Sequence, residues 1–194
     1  FDSQDLVWDQ NTARVGPLKV TGDVRISRDA ALGAHMLRLI TLDGPSNSAI
    51  FNVGQFPSPK ELEPNNKLEQ AQRLASLPVE VQGRLDGAPD IDIFSFQAKK
   101  GERWVFDLRS IEDGSSVEAR MILMDSAGKR IDFNDDRDDY NENPLIEHTF
   151  STTDLYYVKL DQYRGPRGFN FGKSCSYILR ISALPVIRGT YPMA

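Results

Sequence analysis

The chain has 194 residues, room for one large or two small domains, and its 40% hydrophobic and 9% aromatic content is that of a folding polypeptide. A net charge of -5 and a pI near 5.1 argue against nucleic acid or an anionic membrane surface as partner, because both need a clustered positive footprint. No apolar run approaches the roughly 18 residues that insert across a bilayer, and the single cysteine, Cys175, leaves no internal disulfide and no multi-cysteine zinc site.

Phe1 stands where an initiating Met would be, and the chain reads as a processed or partial polypeptide. From Leu18 the pattern is β. Leu18–Ser27 alternates around a Gly22-Asp23 break, Ala34–Leu42 alternates again, Asp43–Asn47 is dense in turn formers, and Ala49–Gly54 closes the set. Asp29–Gly33 predicts a tight loop. Four to six short strands are few for a sandwich, so residues 1–56 are expected to be the C-terminal part of an Ig-like module.

Gln55–Lys60 carries two prolines within three residues and predicts an extended linker. After it, Leu68–Leu74 is rich in helix formers, with Asn65 or Asn66 as the expected N-cap. Pro78 then enforces extension. Strands are predicted at 79–85, 93–98, 104–109, 120–124, 130–133, 146–151, 155–160 and 177–182, separated by turns such as Lys100-Gly101 and Ala127-Gly128. Eight strands at this spacing predict an all-β, jelly-roll-like β-sandwich over residues 57–184. Residues 185–194 lose the alternation and read as a linker into a following module. Cys175, in step with Tyr177, Leu179 and Ile181, reads as an apolar filler.

Two segments concentrate hard oxygen donors. Glu61-Leu62-Glu63-Pro64-Asn65-Asn66 holds two carboxylates and two carboxamides around a proline that stiffens the backbone. Asp90-Ile91-Asp92 places two carboxylates on one face at the start of an alternating run. Oxygen ligands in this number are what Ca²⁺ takes, six to eight at a time. A third run, Asn134–Asn143, offers Asp135, Asp136, Asp138 and Asp139, either as a second cation site or as a solvated turn. It lacks the glycine and flanking helices of an EF-hand.

Catalytic signatures are missing. His35 and His148 are the only histidines, no serine sits in a nucleophile-elbow context, and no His-x-x-x-His pair occurs, so no enzyme is expected. Trp104 and Tyr157 read as core residues. The loop 162–172, with Tyr163, Arg164, Arg167 and Phe169, is either a plain strand connection or a surface for polysaccharide or protein.

Taken together, Glu61-x-Glu63-Pro64-Asn65-Asn66, Val81-x-Gly83-x-Leu85, Asp90-x-Asp92-x-Phe94-x-Phe96 and Lys100-Gly101 resemble the bacterial pre-peptidase C-terminal domain over roughly residues 58–183. Leu123–Gly128, Asn134–Asp136, Leu155–Val158 and Tyr177–Ile181 are similar to its later strands. The resemblance implies a non-catalytic, Ca²⁺-binding, structural or adhesive accessory module of an exported bacterial protein, which is secreted, cell-surface or periplasmic. Its partners would be neighbouring modules of the same polypeptide. By the same resemblance the ligands are Glu61, Glu63, Asn65, Asn66, Asp90 and Asp92, with the alternative open that only Asp92 of the last pair faces the ion. Asn66 stands where calcium-binding members often carry Asp, which removes one negative charge and lowers the expected affinity.

Overall fold

The computed structural model describes residues 6–15, 20–41, 44–85, 90–110, 118–138, 141–162 and 175–186, with side chains from Gly22 onward except that of Thr41. It divides into two units, Phe1–Gln55 and Phe56–Ala194.

The first unit is built of two-stranded antiparallel ribbons: β1 (Leu6–Val15) with β2 (Val20–Ile26), β3 (Gly33–Leu37) with β6 (Ala49–Val53), and β4 (Ile40–Thr41) with β5 (Gly44–Pro45). Met36 and Ile50 face each other across β3 and β6, yet are 65% and 74% exposed. Among the described side chains of this unit, Val53 is the one buried hydrophobic residue. Strand β1 precedes the point from which alternation was read. Its middle, Asp9–Thr12, is polar and the register shifts between Asp9 and Arg14, so the period-two signal is lost there.

The second unit is a β-sandwich. Its four-stranded sheet has the order β13 (Leu145–Thr149), β10 (Arg103–Arg109), β15 (Ser176–Ser182), β8 (Val79–Arg84). Its five-stranded sheet has the order β12 (Arg130–Asn134), β11 (Ala119–Met124), β14 (Asp154–Gln162), β9 (Ile91–Ala98), β7 (Gln72–Arg73). The eight strands predicted between 79 and 182 are all present, their ends moved by no more than two residues. Alternation explains the result, since every second side chain of each strand turns to the core. Phe94, Phe96, Phe106, Leu108, Val158, Leu160, Leu179 and Ile181 are each 0–1% exposed, and Cys175 joins them. Phe96 packs 5.4 Å from Phe106 and 6.0 Å from Phe150, and Phe150 lies 4.4 Å from Tyr156. Full burial of a phenylalanine contributes about 1.5–3 kcal/mol, so this aromatic knot anchors one end of the sandwich. Trp104 packs partly buried against the core, whereas Tyr157 stands half-buried on the outer face; on β14 it is Tyr156 that has the inward parity.

The segment Phe56–Leu74 is a strap that serves both sheets. It first runs parallel to β8: Glu80 N donates to Pro57 O, Gln82 N to Pro59 O, and Glu61 N to Gln82 O. It then crosses to the other sheet, where Ile93 N donates to Asn65 O and β7 pairs in parallel with β9. The helix expected at Leu68–Leu74 is not formed. A 3₁₀ turn at Leu68–Gln70 starts after Lys67 with no side-chain cap, so neither Asn65 nor Asn66 caps it. Ala71 is already extended at ψ 126, because Leu74 N donates to Ser95 O and the backbone is taken up as a fifth strand. Tertiary pairing overrides local propensity here. The turn seats Leu68 against Gly128, whose φ of 76 and lack of Cβ both serve the β11–β12 turn; a Cβ there would come within 2.5 Å of Leu68 Cδ1.

Candidate metal centre

The site lies where the strap crosses between the sheets. Glu61, Glu63, Asn65 and Asn66 arrive on the strap, held by the Glu61 and Asn65 backbone bonds on either side of the crossing. Asn65 N also donates to Glu63 Oε2 at 2.9 Å, which turns that carboxylate back over the chain. Asp90 and Asp92 come from the start of β9, with Asp92 facing the core opposite Leu160 at 0% exposure. Glu63, Asp90 and Asp92 each place a carboxylate oxygen within 4.8 Å of the other two. They are the one such group among the described residues, and no lysine or arginine side chain among the described residues forms an ion pair with Glu61, Glu63 or Asp92.

Asn65 is fully buried in the middle of this group. The position of its carboxamide oxygen lies 3.2 Å from Glu63 Oε2, 3.2 Å from Asp92 Oδ1, 3.3 Å from Asn66 Oδ1 and 3.3 Å from the Ile91 carbonyl oxygen. Turned over, the amide donates its two NH₂ hydrogens into this group and its own oxygen meets donors instead, which leaves two of the four acceptors without a hydrogen. A divalent cation resolves the whole set at once: oxygens held 2.3–2.6 Å from Ca²⁺ sit about 3 Å from their neighbours. The residues present therefore fit the ion.

Glu61 stands one step back. Its Oε1 accepts from Arg84 N at 2.7 Å and its Oε2 from the Tyr177 hydroxyl at 2.9 Å. The same hydroxyl lies 2.5 Å from Asp92 Oδ2, so Tyr177 ties the strap carboxylate to the β9 carboxylate across the core. Tyr177 reaches them because its β8 partner is Gly83. A Cβ at position 83 would overlap the tyrosine ring and hydroxyl and crowd Glu61 Oε2. Burial pushes the Asp92 carboxyl up to about 9, with the charges of Glu61 and Asp90 adding to the rise and the Tyr177 bond opposing it. Burial likewise raises Glu61. Tyr177 is raised well above its usual value, by burial first and then by the charges of Asp92 and Glu61. A cation taking the place of the protons relieves all three.

Tyr177 and Gly83 were not singled out by the sequence as parts of this site. Tyr177 reads there as one more inward residue of an alternating strand, and the only trace of its role is a glycine at an inward position of β8.

The other candidates fare differently. The side chains of Asp135, Asp136 and Asp138 do not converge as the first group does, and Asp139 lies outside the described residues. The described residues of this run are engaged by polar bonds within it and to β10 and its end. Asn134 Nδ2 donates to Asp136 O, Asn143 Oδ1 accepts from Ser110 N and Oγ, and the Arg137 guanidinium reaches Asp107 on β10. Burial and then the neighbouring Asp135 and Glu142 charges raise Asp136. His35 Nε2 meets Ala31 O, and His148 Nδ1 meets Asp132 Oδ2 at 3.3 Å. Tyr163, Arg164, Arg167 and Phe169 lie outside the described residues.

No family model matches the chain, and no curated protein matches it. Among solved structures, the pre-peptidase C-terminal domain of collagenase from Bacillus anthracis is 16% identical, over 61% of this chain and 100% of that one, at a TM-score of 0.45. A periplasmic inhibitor of g-type lysozyme from Aeromonas hydrophila is also 16% identical, over 66% of this chain and 96% of that one, at a TM-score of 0.41. Neither overlap is close enough to carry a functional inference.

Proposed function

We propose that residues 57–184 form a non-catalytic accessory module, of the pre-peptidase C-terminal kind, that takes up Ca²⁺ where its strap crosses between the sheets. The observation that carries this reading is the convergence of Glu63, Asp90 and Asp92, each with a carboxylate oxygen within 4.8 Å of the other two, around the buried Asn65. Glu63, Asn65, Asn66, Asp90 and Asp92 would hold the ion together with the Ile91 carbonyl, while Glu61 and Tyr177 orient Asp92. The ion supplies positive charge in a place where three carboxylates otherwise repel. Because it binds the native state, it adds stability by mass action, about 2.7 kcal/mol at a concentration 100 times the dissociation constant.

With Asn66 contributing no charge, an affinity in the 10⁻⁴–10⁻³ M range typical of extracellular modules is expected. That range suits a secreted, cell-surface or periplasmic setting, where the module would act structurally or adhesively beside its neighbours. The reading of residues 1–56 as part of an Ig-like module belongs to the same proposal. A thermal melt in EGTA, then in about millimolar Ca²⁺, then in Mg²⁺, tests it. A rise of several degrees with Ca²⁺ alone, lost in Glu63→Ala, supports the reading. An unchanged melt in Ca²⁺ leaves a metal-free structural spacer in its place.

A further inference from the structure

We infer that Gln162 is a further oxygen ligand of this site, its side-chain carbonyl entering from the end of β14. The inference rests on the cation reading above and extends it to a residue of a different strand. On β14, Tyr156, Val158, Leu160 and Gln162 share the inward parity, and Gln162 is 5% exposed, paired with the fully buried Ala119 of β11. The β9–β14 register runs from Asp92↔Leu160 to Ile91↔Asp161. Continued one step beyond the paired residues, this register would set Asp90 opposite Gln162, on the face that carries Asp92. Directly opposed residues in an antiparallel pair have Cβ atoms about 4.5–5.5 Å apart, within reach of a side chain as long as glutamine.

The Gln162 Oε1 atom is buried and meets no hydrogen-bond donor. Leaving a buried acceptor unsatisfied is costly, and such atoms are rare in native structures. The orphan is a hard oxygen, and the continued register brings it to Asp90, a member of the cluster of three. A divalent cation seated among Glu63, Asp90 and Asp92 would meet this carbonyl from the β14 side, opposite the strap. The glutamine would then complete a shell drawn from three segments: the strap, β9 and β14.

The test replaces the oxygen and counts water. Tb³⁺, a luminescent stand-in for Ca²⁺, reports through its lifetimes in H₂O and D₂O how many waters it keeps. Gln162→Met retains the side-chain length without the carbonyl. It is expected to add about one bound water and to weaken Ca²⁺ binding in calorimetry roughly tenfold, the lower end of what loss of a supporting oxygen costs a metal site. Unchanged hydration and affinity in a folded Gln162→Met overturn the inference while leaving the site intact. If that variant does not fold, Gln162→Glu decides: a ligand charge should tighten binding, and equal or weaker binding overturns it. Failure of the unaltered chain to bind Tb³⁺ or Ca²⁺ at all defeats the cation reading itself, which is a separate outcome.

Discussion

The inward face of β9 changes chemistry within four alternate residues, and the two ends of the sandwich differ accordingly. At the Ala98 end, Phe96 meets Phe106, Phe150 and Tyr156 in a close-packed knot. At the Asp92 end, the same face meets Glu61, Tyr177 and the Asn65 cluster through oxygen atoms. One end is held by shape and exclusion of water, which respond little to ions or pH near neutrality. The other is held by charges that are stable only with a proton or a cation among them. A single strand thus joins a permanent half of the core to a conditional half.

The largest effect expected is at the aromatic end. Phe96→Ala should cost about 3–5 kcal/mol in denaturant melts, by the same amount with and without Ca²⁺. A loss that shrinks when Ca²⁺ is added would break the separation of the two ends.

Next comes Gly83→Ala, which forces a methyl group into the Tyr177 ring. It should cost about 1–3 kcal/mol in EGTA and also remove the Ca²⁺-dependent rise in melting temperature, because Tyr177 can no longer orient Asp92. A full Ca²⁺ response in this variant would show that the tyrosine is packing alone.

The smallest effect is a slope. In the metal-free protein Asp92 has its carboxyl raised from 3.8 to about 9. The folded state therefore binds a proton that the unfolded state has released. Stability from this group is fully present below about pH 4 and is lost as pH rises through 9, at up to about 1.4 kcal/mol per pH unit. Melts in EGTA between pH 5 and 8 should fall with rising pH, and Asp92→Asn should flatten that fall. Ca²⁺ should abolish it in the unaltered chain by taking the proton's place. An equally steep fall in Asp92→Asn would assign the slope elsewhere.

The sandwich was legible because half-buried strands write their orientation as alternation: Phe94, Phe96 and Ala98, or Val158 and Leu160, need no tertiary information to be placed inward. The strap was not. Leu68–Leu74 has the composition of a helix, and only the free edge of β9, which no local pattern announces, makes its backbone extended. For the site, the density of oxygens around Pro64 and Asp90 pointed to the two segments that the fold brings together as the acidic cluster. The arrangement depends on bonds of Tyr177 to residues 85 and 116 positions away, and on an inward-facing Gly83 that has meaning only once its partner strand is known. In the first unit, alternation without burial at Met36 and Ile50 shows that the pattern reports strand geometry even where no core follows.

The strap also has a mechanical consequence. It runs parallel to β8 and β15 runs antiparallel, so Pro57 and Ser182 come to the same end of the four-stranded sheet. Tension between the chain before Pro57 and the chain after Ser182 would peel the strap from its edge like a zipper, loading its backbone bonds one at a time at Pro57, Pro59 and then Glu61. Side-chain resistance begins lightly at Ser58, whose hydroxyl donates to Glu80 O and accepts from Gln82 Nε2, and is concentrated at the crossing, where Glu61, Glu63 and Asn65 are anchored. The oxygen cluster is thus positioned as a stop. Its strength sets how far a pull on the chain travels before the two sheets feel it.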